Sequence, residues 1–172
     1  MAVGCKNIMD YERDGILRES DISGAMPSAA RFEKGPVAVI ECVQNIPCNP
    51  CVHACPFGAI TVGRITDTPR LDCGKCTGCG KCVACCPGLA IFIVNKVYSA
   101  DEATVSMPYE FIPVPQKGDV WAGIDRSGKA VCNARVVRVV SGEMQDGTSV
   151  ITIAIPKGLA MEVRNIKRKE AD

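Results

Sequence analysis

The apolar positions of this chain fall into short blocks cut by turn residues, with almost no sustained helical period. Pro36-Val-Ala-Val-Ile40 leads directly into Glu41-Cys42, and similar blocks recur at 59–63, 70–72 and 89–97. Each block is short, rich in β-branched residues and bounded by glycine, proline or aspartate, which predicts strands. Beyond residue 99 the pattern continues at 103–109, 119–124, 130–140 and 150–155, separated by Ala100-Asp-Glu, Asp125-Arg-Ser-Gly128 and Asp146-Gly147. Ala90–Ser99 and Ala103–Tyr109 flank the first of these turns and form a hairpin bridging the two halves. Pro113, Pro115 and Pro156 mark strand ends. This spacing predicts a small antiparallel β-barrel of the SH3-like or OB-like type over 99–172, ending in a basic tail. Residues 1–35 carry turn chemistry (Asp14-Gly15, Ser23-Gly24, Met26-Pro27) and one short helical segment, Ser28–Lys34, stopped by Gly35. They are expected to form an extended docking arm that packs against another surface. The fold class expected is α+β in three parts: 1–35, 36–98 and 99–172.

Cysteine changes this picture most. Ten of the twelve cysteines lie between Cys42 and Cys86. Cys76, Cys79, Cys82 and Cys86, followed by Pro87, give C-x2-C-x2-C-x3-C-P. This is the ligand run in which three thiolates hold one [4Fe–4S] cube and the fourth reaches a second cube. A turn with a cysteine every third residue wraps three soft anionic donors about one compact centre, and glycines let backbone N–H groups approach the sulfurs. A matching run lies upstream: Cys42, Cys48, Cys51 and Cys55, followed by Pro56, give C-x5-C-x2-C-x3-C-P. The tails also correspond, Cys55-Pro-Phe-Gly-Ala-Ile against Cys86-Pro-Gly-Leu-Ala-Ile, an internal repeat about thirty residues apart. Crossing the fourth ligands predicts two sites: Cys42, Cys48, Cys51 and Cys86 for one cube; Cys76, Cys79, Cys82 and Cys55 for the other. The x5 gap after Cys42 leaves two alternatives open, a three-iron cluster or recruitment of Cys73.

Other uses of the cysteines fit less well. A disulfide framework belongs to a secreted context, and the amino end Met-Ala-Val-Gly-Cys-Lys-Asn-Ile-Met-Asp has no apolar signal core. Structural zinc suits the pairs Cys73-x2-Cys76 and Cys79-x2-Cys82, but zinc-ribbon pairs stand about a dozen or more residues apart and these nearly abut. Cys5, Cys73, Cys85 and Cys132 remain as apolar fillers, with Cys73 and Cys85 near enough to act as reserve ligands. His53, the only histidine, reads as a loop residue.

The formal charge is +1 over 172 residues. Each oxidised cube with four thiolates adds −2, which brings the loaded protein to about −3 and argues against general nucleic-acid affinity. The tail Arg164-Asn-Ile-Lys167-Arg168-Lys169 reads as a solvated end. No apolar stretch is long enough to cross a bilayer, and free thiols suit a reducing, cytoplasmic compartment. The β-rich half has no histidine, no nucleophile beside a base and no phosphate-binding loop. Trp121 is its one aromatic platform beyond Tyr109 and Phe111.

Residues 36–97 resemble the clostridial-type two-[4Fe–4S] ferredoxins, through both ligand runs and the Cys-Pro-x-x-Ala-Ile tails. The whole chain is similar to small iron–sulfur subunits of bacterial FAD-dependent amino-acid or amine dehydrogenases. That likeness rests on the amino arm, Gly35-Pro-Val-Ala-Val-Ile-Glu-Cys42, Ile46-Pro-Cys-Asn-Pro-Cys51, Cys86-Pro-Gly-Leu-Ala-Ile-Phe, and Lys117-Gly-Asp before a β-rich end. It implies a ferredoxin-like module carrying two [4Fe–4S] clusters, a flavin-containing dehydrogenase subunit as partner, FAD or FMN only in that partner, and a further electron carrier. Two one-electron centres without a substrate site predict electron transfer, with a freely diffusing ferredoxin and an iron–sulfur sensor acting on nucleic acid as alternatives.

Overall fold

The structure, a computed structural model, describes residues 10–142, 145 and 147–169. Among the described residues there are nine strands: β1 (Val37–Ile40), β2 (Ile60–Thr61), β3 (Arg70–Leu71), β4 (Ile91–Asn95), β5 (Glu102–Tyr109), β6 (Val120–Ile124), β7 (Ala130–Val140), β8 (Ser149–Pro156) and β9 (Asn165–Lys167). Short α-helices accompany them: α1 (Asp10–Asp14), α2 (Glu19–Ile22), α3 (Ala29–Phe32), α4 (Pro50–Ala54) and α5 (Lys81–Ala84). The class is α+β. Seven strands form one antiparallel sheet in the order β1-β4-β5-β8-β7-β6-β9, and β2 and β3 form a separate ribbon.

The expected barrel over 99–172 is the far part of this larger sheet, and among the described residues no pairing closes it. The reason lies in β5. It pairs with β8 along its whole length, and its other edge pairs Thr104–Ser106 with β4. A closed barrel needs both edges of every strand for itself, whereas here one edge is given to the cysteine-bearing half. The sheet therefore runs across the 98/99 boundary. Asp146 of the hairpin cue between β7 and β8 lies outside the described residues, as do Cys5 and the first nine residues of the arm.

Two apolar clusters lie on opposite faces of β1 and β4. Val37, Val39, Phe92 and Val94 join the main core with Val105, Met107, Trp121, Val136, Ile151, Ile153 and Ile155. Ala38, Ile40, Ile91 and Ile93 face the other way, onto Cys51, Ile60, Cys82 and Val83. Burial on both faces explains why these strands are uninterrupted apolar runs, while the solvent-facing β7 alternates. Trp121 is buried in the core, edge-on to Tyr109 at 6.3 Å, and offers no exposed platform for a base.

The arm also departs from expectation. Residues 10–32 are not extended but carry α1, α2 and α3, of which only the last was legible, through Ser28 capping Arg31 N–H at 3.3 Å. Gly35 turns the chain with φ +114. Phe32 enters the main core beneath Lys96, 4.6 Å from the ring, and Arg31 bridges to the downstream cysteine loop, donating to the carbonyls of Cys73 (2.8 Å) and Cys76 (2.6 Å). The end of the arm is thus fastened to its own chain. Phe32→Ala is expected to lower unfolding stability by about 3 kcal/mol in a urea titration, the cost of an emptied aromatic site. An unchanged midpoint would mean that this contact is not formed in solution.

Candidate metal centre

The cysteine loops are built twice on one plan, 31 residues apart. α4 and α5 each end at a Cys-Pro corner. In the first, Gly58 N–H donates to Cys55 O (3.2 Å) and Ala59 N–H to Cys55 Sγ (3.3 Å). In the second, Leu89 N–H donates to Cys86 O (3.0 Å) and Ala90 N–H to Cys86 Sγ (3.4 Å). The corner needs a left-handed residue: Gly58 has φ +59, and its counterpart Leu89 takes +51 despite its side chain. A further pair of equivalent bonds follows, Glu41 N–H to Ala90 O (2.8 Å) and Asp72 N–H to Ala59 O (2.7 Å).

By this correspondence Cys48 matches Cys79, Cys51 matches Cys82, and Cys55 matches Cys86. Cys42 matches Cys73, and Cys76 matches Asn45. The symmetry is broken at the first cysteine of each run. The x5 gap of the upstream run is therefore the symmetric position, and the downstream run carries a cysteine at both possible places.

The eight predicted site residues are gathered as two sets of four. Cys42, Cys48, Cys51 and Cys86 line one cavity of about 600 Å³. Cys55, Cys76, Cys79 and Cys82 line a second, much smaller one of about 20 Å³, with Cys79 exposed beside it. Each set thus takes its fourth member from the other run. Cys73 and Cys85 line neither cavity; Cys85 Sγ turns back to the Cys82 carbonyl at 3.5 Å. Cys132 packs against the main core, and His53 is exposed, 3.2 Å from the Asn49 side chain. Among the described residues, no three His, Cys, Asp or Glu side chains draw together into a group that could hold a metal ion. A tetrahedral zinc site needs its sulfurs within about 4 Å of one another, because each Zn–S bond is only about 2.3 Å.

Burial disfavours the thiolate at three of these cysteines. Burial, then the nearby Cys86, Cys85, Cys48 and Cys42, pushes Cys51 up to about 11. Burial, then Cys76, Cys85 and Cys79, pushes Cys82 up to about 12. Cys42 is raised by burial and by Cys86. Burial also works to raise Cys55, but the N–H groups of Ala59, Phe57, Ile60 and Gly58 outweigh it and leave that thiol lowered. Four thiolates close together in such a place require a cationic centre to offset their repulsion. The donor set suits one: all-sulfur quartets, with N–H groups reaching Cys55, Cys76 and Cys86 from the protein side.

Two features were missed by sequence reasoning. Arg164, expected in a solvated tail, is buried and donates to Glu41 Oε1 at 2.6 Å, and Asn165–Lys167 form β9. Tyr11, Gly15 and Leu17 of the arm form part of the larger cavity's wall. A charged residue directly after an apolar strand, Glu41, was the available signal that a buried cation lay elsewhere.

No family model, curated protein or solved structure matches this chain.

Gly78 offers a sharp test of the downstream loop. It sits at φ +69, and a Cβ there would lie 2.6 Å from Pro36 Cβ and 2.7 Å from the Pro36 carbonyl. Gly78→Ala is expected to cost at least about 2 kcal/mol, from left-handed strain and the clash together, and to separate Cys76 and Cys79 from their set. Urea unfolding measures the first effect, and metal content of the purified variant measures the second.

Proposed function

We propose that this protein is an electron-transfer subunit carrying two [4Fe–4S] clusters in a ferredoxin-like module, one held by Cys42, Cys48, Cys51 and Cys86, the other by Cys55, Cys76, Cys79 and Cys82. The observation that carries the reading is the grouping of eight cysteines into two crossed quartets about separate cavities. A cube is a body several ångströms across, so its four sulfurs stand around a space and do not converge on a point, and the larger cavity offers such a space. Each cube, when bound, takes up and gives up one electron at a time. The protein supplies thiolates, N–H groups directed at sulfur, and apolar packing from Ile40, Ile91 and Ile93 that limits water.

The proposed partner is a flavin-containing dehydrogenase oxidising an amino acid or amine, whose two-electron chemistry the clusters would divide into single steps toward a further carrier, in the cytoplasm. An exposed apolar strip supports a protein partner: Phe111, Ile112 (94 % exposed) and Val114 follow β5, with Val120 at the start of β6. No helix among the described residues is long and apolar enough to cross a membrane. The freely diffusing ferredoxin remains a second reading, favoured by the packing of Phe32 and Arg31 onto their own chain, which leaves less of the arm to dock elsewhere. The nucleic-acid sensor is weakened, since Trp121 and Arg164 are both internal, and of the basic tail only Lys167, Arg168 and Lys169 are exposed.

Anaerobic isolation at native expression level is expected to yield about eight irons and eight sulfides per chain, together with a flavoprotein. Zinc, or iron without sulfide, would overturn the cluster assignment. Full iron content in a lone monomer would replace the subunit with the diffusing carrier. Cys86→Ala should remove the centre that Cys42, Cys48 and Cys51 share, whereas the adjacent Cys85→Ala should leave both centres intact.

A further inference from the structure

The wall of the larger cavity contains a buried charge triad that ligation does not require. Glu41 follows β1 and directly precedes Cys42. Its carboxylate accepts from Arg126 at Oε2 (Nε, 2.9 Å) and Oε1 (Nη2, 2.6 Å), and from Arg164 Nε at Oε1 (2.6 Å). The side chains of Glu41, Arg126 and Arg164 are only 5, 13 and 5 % exposed. Arg164 also donates to the carbonyls of Ala160 (3.1 Å) and Val163 (2.7 Å) and lies 4.9 Å over the Phe92 ring. The cavity's other acids lie toward solvent: Asp67 pairs with the exposed Arg64, and Asp125 is taken up by the Ser127 hydroxyl and the N–H groups of Ser127 and Lys129.

One carboxylate and two guanidiniums leave a fixed charge of +1 in a dry wall beside Cys42. Arginine stays protonated under all ordinary conditions, so this charge is permanent. Adding an electron to a centre held by Cys42, Cys48, Cys51 and Cys86 makes the site more negative by one unit. A neighbouring buried cation favours that state, and salt screens it less than it would an exposed one.

We propose that Arg126 and Arg164, locked by Glu41, are positioning residues that raise the reduction potential of the centre in this cavity. The inference rests on the cluster reading given above. Arg31 also stands near the other quartet, through its bonds to Cys73 and Cys76, so the effect belongs to a particular centre and is not a ranking of the two.

The test is an anaerobic redox titration of the loaded full chain, following each centre by electron paramagnetic resonance and assigning the relevant one as that altered by Cys86→Ser. Arg126→Gln is expected to shift the reduced-to-oxidised ratio of that centre about tenfold toward oxidised at fixed ambient potential, equivalent to about 59 mV for one electron. The other centre should stay in place, and Arg126→Lys should restore the ratio. Glu41→Gln, which leaves both cations uncompensated, should move the ratio the opposite way, so whichever of the two variants folds reports the sign. Equal effects of Gln and Lys at position 126, a joint movement of both centres, or no movement would overturn the inference. Iron and sulfide assayed on the same samples separate the two levels: unloaded wild-type chain rejects the cluster reading itself, while loaded chain with an unmoved potential rejects this inference alone.

Discussion

The antiparallel pairing of β1 with β4 is the constraint on which the cysteine arrangement depends. β1 leads into the first cysteine of the upstream run, and β4 leaves the last cysteine of the downstream run. Their register, Val37 opposite Val94 and Ile40 opposite Ile91, extended by the Glu41–Ala90 bond, lays those two ends side by side. Cys42 and Cys86 then line one cavity although 44 positions separate them in the chain. The ribbon β2–β3 repeats the arrangement on a smaller scale, with Asp72 bonded to Ala59, and returns Cys55 to the downstream set. Exchange of fourth cysteines thus follows from strand pairing, with no special property of the cysteines involved.

Much of this was legible in the sequence, because it is written locally. The paired cysteine runs, the duplicated Cys-Pro-x-x-Ala-Ile corners, the strand blocks and the β4–β5 hairpin all depend on residues close together in the chain. What was not legible depends on distant partners. Residues 99–172 have the strand spacing of a small barrel, and nothing within them announces that one edge of β5 is reserved for β4. α1 and α2 are only five and four residues long, too short for a period to be visible. Arg164 sits in a run of basic residues that on its own reads as a solvated end, and only the distant Glu41 gives it a reason to be buried. Glu41 after an apolar strand signals a buried cation, but nothing near it in the chain says which one.

The two faces of β1 and β4 give the fold its division of labour. One face is held by the β-rich half, whose branched side chains fix the strands in place; the other carries the cysteine loops. Under the electron-transfer reading, the rigid face supplies the low reorganisation that redox centres need, while exposed apolar residues around the sheet remain for recognition. The Glu41 triad ties the halves together more firmly than apolar packing alone, since a buried charge network tolerates only one arrangement of its members.

That network also has a consequence in time. Arg164 lies 123 positions after Glu41, so during synthesis the carboxylate emerges long before its second cation. At about 5–20 residues per second on the ribosome the delay is roughly 6–25 s. Through this interval the wall beside Cys42 lacks its last strand and a buried partner, and the upstream cysteines stay open to solvent on that side. β9 and the buried Arg164 beside it are thus among the later parts of this wall to be synthesised.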